Sequence, residues 1–405
     1  MRRALFVVLC VSVWINYMDR GNLSVSAPAL QPEMNLSPTE MGILLSGFFW
    51  TYSLLQPVAG WLVERYDVYR LYAAAFAVWS LAVAAGGLAT TFTALLLSRL
   101  VLGIGESLAY PAYSRMLAGN FSEERRGFAN AMIDVGTKAG PALGTFLGAL
   151  AVQAFGWRAF FFWMGALSLI WLIPWLRLIP PRQDPASRVR THVSVVSVIR
   201  IGAAWVTFTG LFCFNYAFYF LLTWLPSYLV QERKFSLRAM AVYGALPFCA
   251  TAVASMTAAA WADRRIRRRA STECIRRRVA VTGLLLAATG LSAVAFADGP
   301  AAMVCLVGAF IGIGLFTANV WAITQTLAGP DAAASWTGWQ NAVGNMGGVV
   351  APILTGWSVS ASGSFSAAFL TASGMLVVAA ALYGIALGPV RLRTVGSTRY
   401  AISFP

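Results

Sequence analysis

The stretch Trp14 to Pro28, WINYMDRGNLSVSAP, decides how this chain is read, because Asp19 and Arg20 stand side by side in the middle of an apolar run. From Ala4 to Leu30 the run is long enough to cross a bilayer as one helix. An ionisable side chain at the centre of such a helix costs roughly 2.5–3.5 kcal/mol on insertion scales, so residues of this kind are usually kept for function. Adjacent residues do not face each other on a helix, so Asp19 and Arg20 cannot simply neutralise one another. Their partners must come from elsewhere in the chain.

Of 405 residues, 59% are hydrophobic and 11% charged, too apolar a balance for a soluble protein of this length. A net charge of +15 raises the question of nucleic acid, but the basic residues flank apolar spans and form no patch interleaved with aromatics. They mark membrane orientation instead. Cys10, Cys213, Cys249, Cys274 and Cys305 show no C-x-x-C pairing and read as packing residues, with no disulfide, metal site or cofactor expected. Met1 to Arg3, the apolar run and Ala27-Pro28-Ala29 imitate a secretory signal, yet Asp19 and Arg20 break its apolar core, so a retained first helix is expected.

Apolar spans recur twelve times, near 4–30, 40–63, 71–91, 93–118, 128–154, 157–178, 201–230, 239–262, 279–297, 300–327, 335–359 and 365–388. The expected fold is an all-α membrane protein of two pseudo-symmetric six-helix bundles, 1–178 and 201–388, joined by a Pro-rich linker at 179–200 and followed by a tail at 389–405. The even-numbered connections with the span ends adjoining them, together with the two tails, carry 23 of the 30 Lys and Arg; the odd-numbered connections carry four. Both termini and the linker are therefore expected in the cytoplasm, the bilayer being a bacterial inner membrane. The halves echo each other: Asn16-Tyr17 recurs as Asn215-Tyr216, Glu64-Arg65 as Asp263-Arg264, Gly103-Ile104-Gly105 as Gly312-Ile313-Gly314, and Pro141 as Pro352. Such duplication marks a transporter fold. By this register Asp19, Arg20 and Glu106 correspond to Phe218, Tyr219 and Leu315, so the charge chemistry belongs to the first half.

Four further charges within spans join the first pair by spacing. Span 4 carries Arg99 and Glu106 two turns apart on one face, and span 5 carries Asp134 and Lys138 at i and i+4. Three acids and three bases give a neutral set, provided every member is paired. Asp19, Arg20, Glu106 and Lys138 fall near the midplane, with Tyr17 and Tyr52 at similar depth, where transporters of this kind bind substrate. The second half offers neutral Trp321, Gln325, Asn341 and Asn345. A cationic grip on one side and neutral trim on the other suits a small organic anion. The plainer readings stand beside these: Asp134 with Lys138 as a structural pair, Arg99 as a prop for Glu106, Tyr17 and Tyr52 as core aromatics, and Asn345 with Gly347 and Gly348 as helix packing.

NYMDRGNLSVSAPAL in span 1, GIGESLAYPAYSR in span 4 and GWQNAVGNMGGVVAPILTG in span 11 carry a resemblance to the major facilitator superfamily, and within it to the anion:cation symporter family of sugar-acid permeases for galactonate, glucarate and hexuronates. The resemblance covers all twelve spans. It implies that Arg20 engages a substrate carboxylate, that Asp19 and Glu106 are protonation sites of proton symport with Arg99 in the same network, and that Tyr17, Tyr52, Trp321 and Asn341 line the pocket. Departures are visible. The loop after span 2, GWLVERYDVYR, lacks the second Gly and the Arg pair of the superfamily pattern, Thr137 beside Lys138 stands where sugar-acid permeases offer an amide, and span 10 reads Ala318 and Val320 at small polar positions.

The expected function is proton-coupled import of a small organic anion, a sugar acid or dicarboxylate, by a monomer with alternating access. An exporter or antiporter of drug-like or organophosphate substrates is the rival within transport, and a transporter-derived sensor lies further off. No H-E-x-x-H, phosphate loop, paired intramembrane aspartates or nucleophile with a histidine points to an enzyme.

Overall fold

The computed structural model describes residues 2–120, 123–179, 198–268 and 271–388, with side chains described except at 2–3, 118–119, 123–131, 134, 138, 272 and 329–335. The tail at 389–405 and nearly all of the linker lie outside the described residues. The rest is helical, as the period and length of the apolar spans require. The helices are α1 (Arg2–Glu33), α2 (Pro38–Arg65), α3 (Val68–Gly87), α4 (Phe92–Ser107, continued by Ala109–Asn120), α7 (Gly202–Ser227), α8 (Leu237–Arg267), α9 (Thr272–Val294) and α12 (Ser366–Ala381). Glu123–Ile170 is two crossings, α5 (123–155) and α6 (157–178), because Gly156 turns the chain at φ 79°. Gly299–Ser362 likewise holds α10 (299–328) and α11 (336–362).

Among the described residues nine segments are apolar enough to cross a membrane on length and composition alone, one of them covering both α5 and α6. α2 and α11 complete the twelve crossings. They are long enough but more polar, since α2 carries Ser46, Thr51, Ser53 and Gln56, and α11 carries Gln340, Asn341 and Asn345. Polar residues in a spanning helix face the bundle interior, so these two helices border the site.

Local chemistry fixes where the helices begin. Ser37 caps α2 in a reciprocal box with Glu40, and Pro38 follows at the first helical position. Asp67 caps α3 through the backbone N–H groups of Tyr69 and Arg70, a use of the loop after span 2 that its departed motif did not announce. Ser271 caps α9, which therefore starts at Thr272 and not near 279 as expected. Arg276, Arg277 and Arg278 lie inside the helix, where apolarity by itself could not place them. At the opposite end of the molecule the few cations act as staples: Arg158 bonds Glu33 and the Ala89 carbonyl, and Arg233 bonds Asp298, Tyr228 and the Ala297 carbonyl.

Lipid gives helices no hydrophobic reason to associate, so close approach of small residues drives their packing. Gly136, Gly140, Gly144 and Gly148 form a four-residue ladder on α5 that lies against α1; a Cβ at 140 would come within 2.5 Å of the Tyr17 Cβ. On α4, Gly103 meets the Phe48 carbonyl of α2, whereas Gly105 meets Ala75 and Trp79 of α3. In the second half Gly314 lies on Thr251–Ser255 of α8, and Gly312 lies on Gly283 and Ala287 of α9. Thr51 bonds the Leu100 carbonyl as Thr251 bonds that of Phe310. In each half the fourth helix thus meets two neighbours through glycines two residues apart. The charge still belongs to the first half.

The halves touch along α1 with α7, α2 with α11 and α5 with α8, where Gly244 lies on Thr145. Ser24 bonds the Leu222 and Thr223 carbonyls, Gln31 bonds Gln231, Gly42 lies on Pro352, Phe49 meets Tyr219 and Gly348, and Gln56 bonds Asn341. Among the described residues no hydrogen bond or ring contact joins the halves nearer the arginine-rich end than Gln56 with Asn341. Among the described residues the hydrogen-bonded ties between the halves gather toward the arginine-poor end. Gly140→Ala should cost about 1–3 kcal/mol by overpacking α1, while Gly60→Ala, with nothing within 4 Å of its new methyl group, should leave the thermal unfolding midpoint unchanged or slightly raised. Equal midpoints for the two variants would refute the α1–α5 packing.

Candidate functional site

The centre of the site is assembled by three helices of the first half. α1 brings Arg20, α4 brings Glu106, and α2 brings a stripe at four-residue spacing, Phe48, Tyr52 and Gln56. Arg20 Nε donates to Glu106 Oε2 at 2.8 Å in an almost fully buried ion pair. The guanidinium lies over the rings of Tyr52 at 4.5 Å, Tyr17 at 4.7 Å and Phe48 at 5.1 Å. Aromatic faces carry partial negative charge, so this cage stabilises the cation where water cannot. One donor edge of the guanidinium is committed to Glu106, and Nη2 has no hydrogen-bond partner.

The structure separates the remaining charges more than the sequence expectation of complete pairing did. Arg99 Nη1 donates to Asn22 Oδ1 of α1 at 3.1 Å and lies over the other reach of the Phe48 ring at 5.7 Å. It makes no ion pair with Glu106 among the described residues, because the two-turn spacing brings the backbones into line while Asn22 takes the guanidinium. Asp19 is wholly buried, and neither of its carboxylate oxygens has a hydrogen-bond partner. The described part of the buried set thus holds one direct ion pair, with an acid and a base held near it. The side chains of Asp134 and Lys138 lie outside the described residues. Thr137, between them, is half-buried and bonded.

Tyr17 shares a hydrogen bond with Tyr110 at 3.2 Å, and Tyr52 stacks on Phe48 with centroids 5.0 Å apart. From the second half, Asn341 Nδ2 donates to Gln56 Oε1 at 3.0 Å, and the buried Tyr219 hydroxyl donates to Asn345 Oδ1 at 2.6 Å while its ring meets Phe49 at 4.4 Å. Trp321 is 37% exposed and has no ring contact or hydrogen bond to the Arg20 cluster among the described residues, so it lies apart from the cage. Asn345, read from sequence as either pocket or packing, orients Tyr219, the residue that stands opposite Arg20 in the duplicated register. The sequence reading singles out neither Phe48, Gln56 nor Tyr110, and names Tyr219 only as the counterpart of Arg20. The Phe48–Tyr52–Gln56 stripe was the available signal, hidden because a ring on an apolar helix ordinarily reads as core.

The five cysteines are unpaired, and no cluster of ligating side chains occurs among the described residues. What the arrangement can do is bind: it holds a buried guanidinium with one nitrogen unpartnered beneath the hydroxyl-bearing rings of Tyr17 and Tyr52.

Comparison with known proteins gives this geometry its setting. Residues 9–275 match the Major Facilitator Superfamily. The chain is 30% identical to a hexuronate transporter of Bacillus subtilis over 90% of each sequence. It is 28% identical to a probable sulfoacetate transporter of Cupriavidus necator over 96% of this chain and 94% of that one, and 27% identical to a D-galactonate transporter of Escherichia coli over 95% of each. In fold it resembles a bacterial homologue of the lysosomal transporter Spinster, in an inward-facing and unoccupied conformation, with a TM-score of 0.80 at 19% identity over 95% of this chain and 97% of that one. It also resembles the nucleoside transporter NupG, with a TM-score of 0.76 at 14% identity over 95% of this chain and all of the other. Twelve membrane-crossing helices in two bundles and a cage of buried charge between them therefore have one reading, and the chain belongs to the Major Facilitator Superfamily, as a membrane transporter similar to the sugar-acid permeases and not an enzyme.

Proposed function

We propose that the protein imports a small organic anion by proton-coupled symport, with Arg20 as the anion-binding residue. The observation that carries this reading is the divided guanidinium: one edge on Glu106, Nη2 unpartnered, and three rings holding the plane. A carboxylate takes two parallel donors from such a fork, and Arg20 cannot give its full fork while Glu106 holds Nε. Anion binding and the charge state of Glu106 therefore compete for one group. Protonation of Glu106 releases Arg20 to the anion, and departure of the anion returns it. Asp19, buried one residue away without a partner, is the second proton site.

The substrate is a carboxylate with polar substituents, held through Arg20 and met by Tyr17, Tyr52, Gln56 and Asn341. The relatives bear on its class, since hexuronate and galactonate carry one acid group and sulfoacetate carries two. Lys138 supplies a second cation on the helix that packs against α1, and two cations suit two anionic groups. In a thermal-shift panel of sugar acids, dicarboxylates and sulfonates, Arg20→Ala should remove every stabilisation, and Arg20→Lys most of it, because an ammonium is a mobile point charge. Lys138→Met should weaken dianions by about 1.5–3 kcal/mol and monoanions far less. Undiminished shifts in Arg20→Ala would remove Arg20 from the site; equal loss for both anion classes in Lys138→Met would leave Lys138 as a structural partner of Asp134.

Glu106→Gln imitates the protonated acid. Reconstituted in liposomes, this variant should exchange substrate down its gradient while failing to accumulate it against one when a proton gradient is imposed. Normal accumulation would move the coupling site away from Glu106.

The arginine-rich end is the cytoplasmic end. In a cysteine-free background on intact cells, an impermeant thiol reagent should label Phe296→Cys and leave Tyr66→Cys unlabelled, both positions being more than half exposed at opposite ends. The reverse pattern would invert the orientation.

A further inference from the structure

The space between α8 and α9 is not filled. At mid-depth α8 is held to α10 by Gly314 on Thr251–Ser255, and α9 is held to α10 by Gly283 on Gly312 and Leu315. Toward the arginine-rich end α8 and α9 are tied by Asp263 with Arg276, and between that pair and the glycine contacts a cavity of about 440 Å³ opens, lined by Thr257, Ala258, Trp261, Arg278, Thr282 and, at its floor, Leu315. The cause is composition. Thr257 to Ala260 reads TAAA, and Val279 and Thr282 are short, so neither helix can close the gap.

This groove is not the Arg20 site, because its lining comes from α8, α9 and α10 alone. The outward faces beside the groove carry exposed Val253, Met256 and Leu285, the large apolar side chains of a lipid-facing surface. The volume lies within the range of about 300–1,000 Å³ that serves small-molecule sites.

Charge decides what fits. Residues 263 to 278 contain eight arginines and two acids. Arg276 pairs with Asp263, and Arg277 pairs with Glu273 and bonds the Gly388 carbonyl. Arg278, the arginine that lines the groove, has no acidic partner among the described residues. On the facing lip Arg265 lies over the Trp261 ring at 5.5 Å, an aromatic and a cation together at the depth where interfacial residues meet headgroups. The mouth is thus cationic and the interior apolar, and basic pockets between membrane helices bind anionic headgroups.

We propose that the groove between α8 and α9 binds an anionic phospholipid, its phosphate on Arg278 and an acyl chain laid over Leu315 between the two helices. Guanidinium donors match phosphate oxygens in pairs, and the short side chains of both walls leave the chain its room. The site is independent of the substrate site and of which anion is carried. α8 packs on α5 of the first half and also lines this groove, so an occupant would fill the gap behind a helix that must shift as the halves alternate.

The test is native mass spectrometry of the full-length purified protein offered equimolar dioleoyl phosphatidylglycerol and dioleoyl phosphatidylcholine. The native protein should retain phosphatidylglycerol in at least fivefold excess. Arg278→Gln should bring the ratio to near one, and Arg267→Gln, which removes an equal charge from an exposed position that does not line the groove, should leave it unchanged. Thr282→Trp, which fills the groove and keeps every arginine, should also abolish the preference. Ten millimolar inorganic phosphate should not displace the lipid. No preference in the native protein, preference kept in Arg278→Gln or Thr282→Trp, equal loss in Arg267→Gln, or displacement by phosphate would each overturn the proposal. Arg278 and Arg267 are exposed, so these two variants remain decisive should the tryptophan variant fail to fold.

Discussion

The ion pair between Arg20 and Glu106 is the constraint around which the first half is built. Taking two charges out of water costs several kcal/mol each, and their mutual attraction offsets this only with good geometry and further hydrogen bonds. Here the geometry is good on one edge alone. The three rings around Arg20 make up part of the difference by presenting their electron-rich faces to the cation, and the unpartnered Nη2 leaves the remainder unmet. A pair of this kind is a poor device for stability. It suits a group that must exchange one anionic partner for another.

Holding such a pair at the right depth is a packing problem, and glycine solves it twice. The ladder on α5 lets α1 approach until backbone nearly meets backbone at Tyr17, and Gly103 lets α4 reach the Phe48 carbonyl of α2. Glu106 follows Gly103 by three residues and Arg20 follows Tyr17 by three, so each charge sits just under one turn from a close helix contact. A helix free to rotate or slide by a few ångströms would lose the 2.8 Å bond. The fixed approach of the helices is what makes the chemistry of one residue depend on the position of another.

The two halves then divide the labour. The second half has corresponding helices and glycine contacts of the same kind, yet the position opposite Arg20 in the duplicated register is Tyr219, held by Asn345, and the position opposite Glu106 is Leu315. Its contribution is neutral hydrogen bonding and the rung from Asn341 to Gln56, the innermost tie between the bundles. That tie lies in line with the cage on α2, one turn from Tyr52. Contacts that close the molecule and contacts that would hold a substrate therefore share a helix face, and a change in either is felt by both.

The class of fold and the location of the charge were legible in the sequence, because the cost of placing a helix in a bilayer is set residue by residue along that helix. Twelve apolar spans, the bias of Lys and Arg, the duplication and the improbable Asp19-Arg20 pair need no knowledge of neighbours. The apolar run near 279 does not show that α9 begins at Thr272, because a serine cap outweighs three arginines. Which acid meets Arg20, why Arg99 turns to Asn22, how Gln56 joins Asn341 and why Arg278 lines a groove between α8 and α9 depended on helix rotation and depth. Those are properties of pairs of helices, fixed by where small residues permit backbones to touch, and only the tertiary structure decides them.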